Sequence, residues 1–199
     1  MPLRVHSCGS LVHWRPEDRP QGAAARCIAC AESTRRACPF DAVRLYLEQK
    51  DLRYHFADES DAAMRELLER SPYGRCVYSC GNDAVNRQNV IMEFPGGLIA
   101  TLEMVSFSAR RRRLTRFYGT RGEIVADGEK ISITPFIGEP RTITPRQEGR
   151  HGGGDREIMA EFARLAKSAS SERYAALLDA ALTSHRIAFL AEESRKSQI

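Results

Sequence analysis

Cysteine is the residue type whose number and spacing most directly predict chemistry in this sequence. Cys27 and Cys30 are separated by two residues, so both sulfurs can bind one metal ion, and Cys38 follows at the predicted start of a helix. His13 could complete a tetrahedral site of three thiolates and one imidazole, a ligand set typical of structural zinc. Cys8 or a water molecule could instead take the fourth position. The alternative is a group of reduced thiols that pack as small apolar side chains.

Two further cysteines, Cys76 and Cys80, fall where the sequence begins to alternate like a strand. Four residues of extended chain span roughly 13 Å, which is too far for two ligands of one ion unless the chain bends. We therefore predict that both are packing residues on one face of a strand.

The composition limits the class of protein. Hydrophobic residues make up 42% of the chain and charged residues 28%, with no apolar run of the roughly 18 residues that a membrane span needs. The first residues do not resemble a secretory signal, so we expect a cytoplasmic protein with reduced cysteines and no membrane partner.

The charge is modest, since 30 Lys and Arg residues face 26 Asp and Glu residues for a net charge of +4. One basic run, 110–113 with Arg116, could contact phosphates. No aromatic stacking platform or recognition helix accompanies it, and a solvated hairpin end is the simpler interpretation. We therefore expect no nucleic-acid partner.

The elements that must position these residues follow from the pattern of apolar side chains. We predict one domain, 1–199, in which a cysteine-rich segment, 1–50, opens with a strand at 3–7 and ends in a helix near Pro39. A helix capped by Ser60 comes next. The remainder consists of a sheet region, 75–145, with a hairpin about Pro95-Gly96-Gly97, and helices over 155–196.

Consecutive strands without helices between them pair antiparallel. The predicted fold is therefore α+β, an open, mainly antiparallel sheet with helices packed on one face.

Several of these segments, in this order, resemble one enzyme family. It is the glucose-fructose oxidoreductase, inositol dehydrogenase and rhizopine-catabolism family (Gfo/Idh/MocA), and the early segments are similar to a bacterial branch that carries a cysteine cluster. The segments that carry the resemblance are 9–14, 27–30, 38–46, 90–104, 116–124, 152–155 and 184–195.

The resemblance implies the C-terminal substrate-binding and assembly domain of an NAD(P)-dependent oxidoreductase that acts on a sugar, a polyol or a related hydroxy compound. In this family a nucleotide-binding fold precedes an α+β domain whose open antiparallel sheet shapes the substrate pocket and mediates oligomerisation. The alternative function is a stand-alone, non-catalytic binding or assembly module stapled by a metal.

The dinucleotide-binding signature is missing from the sequence, because no G-x-G-x-x-G follows a strand. We expect no Rossmann domain in this chain and no NAD(P) binding by the chain alone. The expected partners are a second copy or a separate Rossmann-domain protein. The family's catalytic Asp-x-x-x-His is expected before residue 1, and the loose match at 51–55 is predicted to be a solvated pair. No catalytic residue is assigned.

Polar residues concentrate just before the hairpin, where the resemblance implies that the family's sheet approaches its substrate. Asn82, Asp83, Arg87 and Gln88 offer donors and acceptors suited to a polyol or sugar. A capped polar turn is the alternative.

Overall fold

The computed structural model describes residues 1–50, 52–109, 113–146, 150–168 and 171–197. These residues form an α+β protein in which every strand pair is antiparallel, as predicted. The strands fall into two sheets rather than one, because alternation predicts where strands lie but not which strands pair. The chain divides into two compact units. We call them the cysteine unit, Pro2–Ser106 with Leu190–Ile199, and the meander unit, Phe107–Phe189 with Met1.

The cysteine unit contains a three-stranded sheet. Its strands are β1 (Arg4–Ser10), β2 (Arg87–Glu93) and β3 (Ile99–Val105), in that order. The predicted hairpin is confirmed, and Gly96 and Gly97 take positive φ angles of 80° and 81° in its turn. Such angles favour glycine because it has no Cβ.

Short helices fill the segment between β1 and β2. They are α1 (Glu32–Ala37), a π-helical turn (Arg44–Glu48) and α2 (Asp61–Arg70). The predicted cap of α2 is confirmed, since Ser60 Oγ accepts the Ala63 N–H at 3.2 Å. The helix predicted near Pro39 begins only after Asp41, whose carboxylate accepts the N–H groups of Val43 and Arg44 at 3.1 and 3.3 Å.

The core of this segment is small. Four buried residues form its centre, with three partly buried apolar side chains packed against them. The buried set is Cys27, Ala42, Val43 and Leu68, and the packing set is Ile28, Tyr46 and Leu47. A core of this size buries little apolar surface for the length of chain that it must hold.

The meander unit contains a four-stranded sheet and most of the two long helices. The strands run in sequence order as β4 (Thr115–Gly119), β5 (Gly122–Ala126), β6 (Ile131–Pro135) and β7 (Arg141–Ile143). The helices are α3 (Gly154–Ser168) and α4 (Ser171–Lys196), close to the predicted bounds.

The last turns of α4 belong to the cysteine unit. There Ser194 Oγ accepts the N–H of Ser7 on β1 at 3.0 Å, and Ala191 is buried. No helix in the described part of the chain has the length and apolar character to cross a membrane.

Candidate metal centre

Four cysteine side chains line one small cavity in the cysteine unit. They are Cys27, Cys30, Cys38 and Cys76, and the cavity has a volume of about 20 Å³. A volume of this size admits one water-sized guest. The other lining residues are Pro20, Ala23, Thr34, Arg35, Asp41 and Tyr78. Three of these four, Cys27, Cys30 and Cys38, are the cysteines that the sequence spacing predicted as metal ligands.

Cys27 and Cys30 are held by one tight turn. Cys27–Ala29 form a 3₁₀ turn, and the Cys30 N–H donates to the Cys27 carbonyl at 3.1 Å. The Cys30 sulfur accepts the backbone N–H of Ala24 at 3.2 Å. Burial raises the pKa of the Cys27 thiol, while a hydrogen bond from the backbone of Ala42 opposes that rise.

Cys38 lies at the end of α1. Its N–H closes the helix by donating to the carbonyls of Thr34 and Arg35, each at 3.1 Å, and Pro39 then prevents the helix from continuing. Burial raises the pKa of the Cys38 thiol, and a hydrogen bond from the Phe40 backbone opposes the rise. Backbone N–H groups directed at sulfur stabilise a thiolate, the form that binds metals.

Cys76 reaches the cavity through a contact between distant parts of the chain. Arg26 and Arg75 form an isolated antiparallel bridge, and the Cys76 N–H donates to the Ala25 carbonyl at 2.9 Å. Cys76 is buried, with 6% of its surface exposed. The prediction that Cys76 and Cys80 lie on one strand is wrong, because Val77–Ser79 form a 3₁₀ turn. Cys80 is exposed, and its thiol donates to the Cys76 carbonyl at 3.2 Å.

His13, the predicted fourth ligand, packs among aromatic rings instead of lining the cavity. Its Nε2 lies 3.3 Å from the Tyr78 hydroxyl, and its Nδ1 lies 3.8 Å from Asp18 Oδ2. Its ring centroid is 5.6 Å from that of Phe40. Tyr78 lines the cavity, so His13 is one side chain removed from it. Cys8 is exposed on β1.

An ion pair forms part of the cavity wall. Arg35 Nε lies 3.2 Å from Asp41 Oδ2, and its Nη2 lies 2.8 Å from Glu48 Oε1. Asp41 is 3% exposed and also caps the following helical turn. Within the described residues, no group of three or more His, Cys, Asp or Glu side chains is drawn together as metal ligands. The four cysteines therefore line one cavity without forming a closed set of ligands.

The predicted substrate-facing residues do not gather at one point. Asn82 donates to the carbonyls of Trp14 and Val77 at 2.9 and 2.8 Å, which ties two loops together. Arg87 and Gln88 are adjacent on β2, so their side chains project from opposite faces. Asp83 and Arg87 are exposed, and Gln88 donates to Ser7 Oγ at 2.9 Å.

Asn86 is a nearby polar residue that the sequence reasoning missed. It is 2% exposed, its Oδ1 accepts the Val12 N–H at 3.0 Å, and its Nδ2 donates to the His13 carbonyl at 2.6 Å. With Asn82 it fixes the backbone on both sides of Trp14, whose φ of 65° is rare for a residue other than glycine. In the sequence, the one signal for Asn86 is that it lies within the polar segment 81–88.

Two weaker sequence features fall partly outside the described residues. These are Asp51 of the 51–55 match, together with the side chain of His55, and the arginines at 110–112. Arg116 is described, and its Nε pairs with Glu123 Oε1 at 3.0 Å.

No family model, curated protein or solved structure matches the chain. The family resemblance therefore stays a prediction.

Proposed function

We propose that this chain is the substrate-binding and assembly domain of an NAD(P)-dependent oxidoreductase of the Gfo/Idh/MocA type. It acts in the conversion of a sugar, a polyol or a related hydroxy compound, and a separate Rossmann-domain partner supplies the cofactor. The observation that supports this function is the four-stranded antiparallel sheet of the meander unit, which has one uncovered apolar face.

The two faces of that sheet differ in chemistry. Cross-strand pairing puts Phe117, Ile124 and Ile133 in one row, which ends at Arg141 on the edge strand β7. Ile131 and Ile143 lie in the next row of the same face, with Thr115 and Ala126. The opposite face carries mainly polar side chains. These include Arg116, Glu123, Ser132, Thr134 and Thr142.

The apolar face is open. Phe117 is 60% exposed, Ile143 is 44% exposed and Ile124 is 37% exposed. A contiguous apolar patch of this kind marks an interaction surface, because water contact with it costs about 25 cal/mol per Å². The occupant that we propose is a second copy of the chain. A flat apolar face can pair with itself about a two-fold axis, as open sheets do when they stack.

Replacing Phe117 by aspartate is expected to abolish self-association, because a carboxylate on the apolar face cannot be buried unpaired. The matched control is Tyr118→Asp, since Tyr118 is 76% exposed on the neighbouring position of β4 and projects from the polar face. Light scattering after size exclusion measures the mass of each variant. A wild-type monomer, or equal loss of the dimer in both variants, would contradict the proposed interface.

The cofactor part of the proposal predicts that the isolated chain neither binds nor turns over NAD(P)H. Every strand pair of the described residues is antiparallel, whereas the dinucleotide-binding fold needs parallel strands joined by helices. Titration of NADH and NADPH fluorescence with the purified chain is expected to show no saturable change. Saturable binding with turnover of a sugar or polyol would contradict the proposal that a separate Rossmann partner supplies the cofactor.

Asp83 and Arg87 are the side chains of the predicted set that we propose for the substrate side, because both are exposed charges that can turn toward a polyol. Asn82 and Gln88 are held by hydrogen bonds within the chain. Cytoplasmic location is part of the proposal, and the six cysteines outside any disulfide are consistent with it because reducing compartments keep cysteines unpaired.

The alternative function is a non-catalytic binding or assembly module, in which the cysteine cavity would hold the metal that staples the chain. The two functions differ in kinetics. An oxidoreductase domain changes kcat/KM of its Rossmann partner for the hydroxy substrate. An assembly module joins the complex and leaves those kinetics unchanged.

A further inference from the structure

We propose that Cys27, Cys30, Cys38 and Cys76 bind one structural zinc ion, and that Cys76 rather than His13 is the fourth ligand. The claim does not depend on the proposed oxidoreductase function, because it concerns how the cysteine unit holds together.

Distant parts of the chain bring four cysteines to one place. They come from a tight turn, the end of a helix and a segment nearly forty residues further along, yet they line the same cavity. Cys8 and Cys80, the remaining cysteines, are exposed. Burial therefore separates the six cysteines into four that share a site and two that face solvent.

The size of the cavity suits a single ion. In a zinc site each Zn–S bond is ~2.3 Å, and tetrahedral geometry then sets the sulfurs roughly 3.8 Å apart. The cavity, of about 20 Å³, offers room for one ion-sized guest. Cysteine side chains can turn toward such an ion by rotation about their Cα–Cβ bonds. The eight-atom core of a cubane iron–sulfur cluster would need the walls to move outward.

Groups around the cavity support thiolates electrostatically. The Cys30 sulfur accepts a backbone hydrogen bond from Ala24 at 3.2 Å. Arg35 lines the same cavity. Four thiolates around one Zn²⁺ leave two negative charges, and this donor and this cation offset part of that excess.

A bound ion would hold this part of the chain together. Among the described residues, the apolar core beside the cavity has four buried members, and two of the proposed ligands, Cys27 and Cys76, are buried where distant segments meet. A closed four-ligand zinc site crosslinks such loop-rich chain and contributes directly to folding. The ion is therefore a staple between residues 27–38 and Cys76, with no open position for catalysis.

The test begins with the full wild-type chain, purified without chelator. Elemental analysis is expected to give about one zinc per chain. Alkylation with iodoacetamide, followed by peptide mass spectrometry, is expected to label Cys8 and Cys80 at once and to spare the other four. Treatment with a zinc chelator is expected to make all six react. This labelling experiment uses the wild-type chain, so it stays informative even if a cysteine variant does not fold.

Three variants then identify the fourth ligand. Cys76→Ser is expected to lower zinc content below ~0.1 per chain after dialysis, because three ligands hold the ion far less tightly. Cys80→Ser and His13→Gln are expected to retain it. With Co²⁺ in place of zinc, the wild-type chain should show intense sulfur-to-cobalt absorption and tetrahedral bands, and Cys76→Ser should lose them.

Three results would overturn the proposal. Zinc lost in His13→Gln but kept in Cys76→Ser would restore the imidazole ligand set. Iron with acid-labile sulfide in place of zinc would replace the ion by a cluster. Absence of any metal, with all six cysteines alkylated at equal rates or found as disulfides, would remove the site. The interface and NAD(P)H experiments can succeed or fail separately from all three.

Discussion

Gly74→Ala is expected to destabilise the cysteine unit by about 3 kcal/mol, the upper end of the usual cost of overpacking. A Cβ built on Gly74 would lie 1.8 Å from the carbonyl oxygen of Leu68 and 2.7 Å from its Cα. Both contacts are with the backbone, so no side chain can rotate away. Either the Pro72–Gly74 turn or the end of α2 must move.

The damage should reach the cysteine cavity, since Cys76 is only two residues beyond Gly74. Arg26, which forms the bridge next to Cys76, also donates to the carbonyls of Leu68 and Ser71. Moving this end of α2 therefore disturbs the same contacts that bring Cys76 to Cys27.

Denaturant unfolding followed by the fluorescence of Trp14, the sole tryptophan of the chain, measures the change in free energy of unfolding in this unit. Gly119→Ala is the control for a local effect, because Gly119 lies in the meander unit and, among the described residues, its Cβ would meet the Gly122 carbonyl oxygen alone, at 3.3 Å. We expect it to leave the unfolding free energy that Trp14 reports within about 0.5 kcal/mol of the wild type. Equal stability of Gly74→Ala and the wild type would show that the close approach to Leu68 does not exist in solution.

Arg53→Ala is expected to cost about 2 kcal/mol, because it removes a buried guanidinium that donates charge-assisted hydrogen bonds to three backbone carbonyls. Arg53 is 5% exposed, and its guanidinium donates to the carbonyls of Tyr46, Leu47 and Glu59 at 2.6, 3.3 and 2.8 Å. Tyr46 and Leu47 lie in the π-helical turn, whose last carbonyls have no partner within the turn. Its ion pair with Asp61, at 2.6 Å, adds less because that carboxylate is 65% exposed.

The Arg53→Lys variant tests whether the geometry of the guanidinium, or only its positive charge, provides the stability. A lysine ammonium keeps the charge but cannot place a planar fork of donors against three carbonyls, so we expect it to recover less than about half of the loss. Arg70→Ala is the control, because Arg70 is 78% exposed and pairs with Glu66 on the surface of α2 at 3.3 Å. It should change stability by less than about 0.5 kcal/mol. Full rescue by lysine would show that charge alone accounts for the role of Arg53.

The sequence predicted the local elements well, because their signals are local. Ser60 capped a helix, Pro95-Gly96-Gly97 made the hairpin turn, and period-two alternation located the strands that pair from 115 to 143. Each of these depends on dihedral preferences or on the direction of successive side chains, which a few neighbouring residues determine.

The sequence was less informative wherever a residue's role depends on a partner far along the chain. Spacing identified Cys27, Cys30 and Cys38, since ligands on one turn must be close in sequence. It could not separate Cys76 from Cys80. The bridge between Arg26 and Arg75 buries the first, and the 3₁₀ turn after it leaves the second exposed.

By itself, then, the sequence determined the α+β class, the antiparallel pairing and the three cysteines of the local motif, because short-range geometry fixes all of these. Only the tertiary structure decided that Cys76 joins them, that His13 packs against Tyr78, and that the strands divide into two sheets. These outcomes depend on which distant segments pack together, and the free energy of that packing is not encoded at any one position.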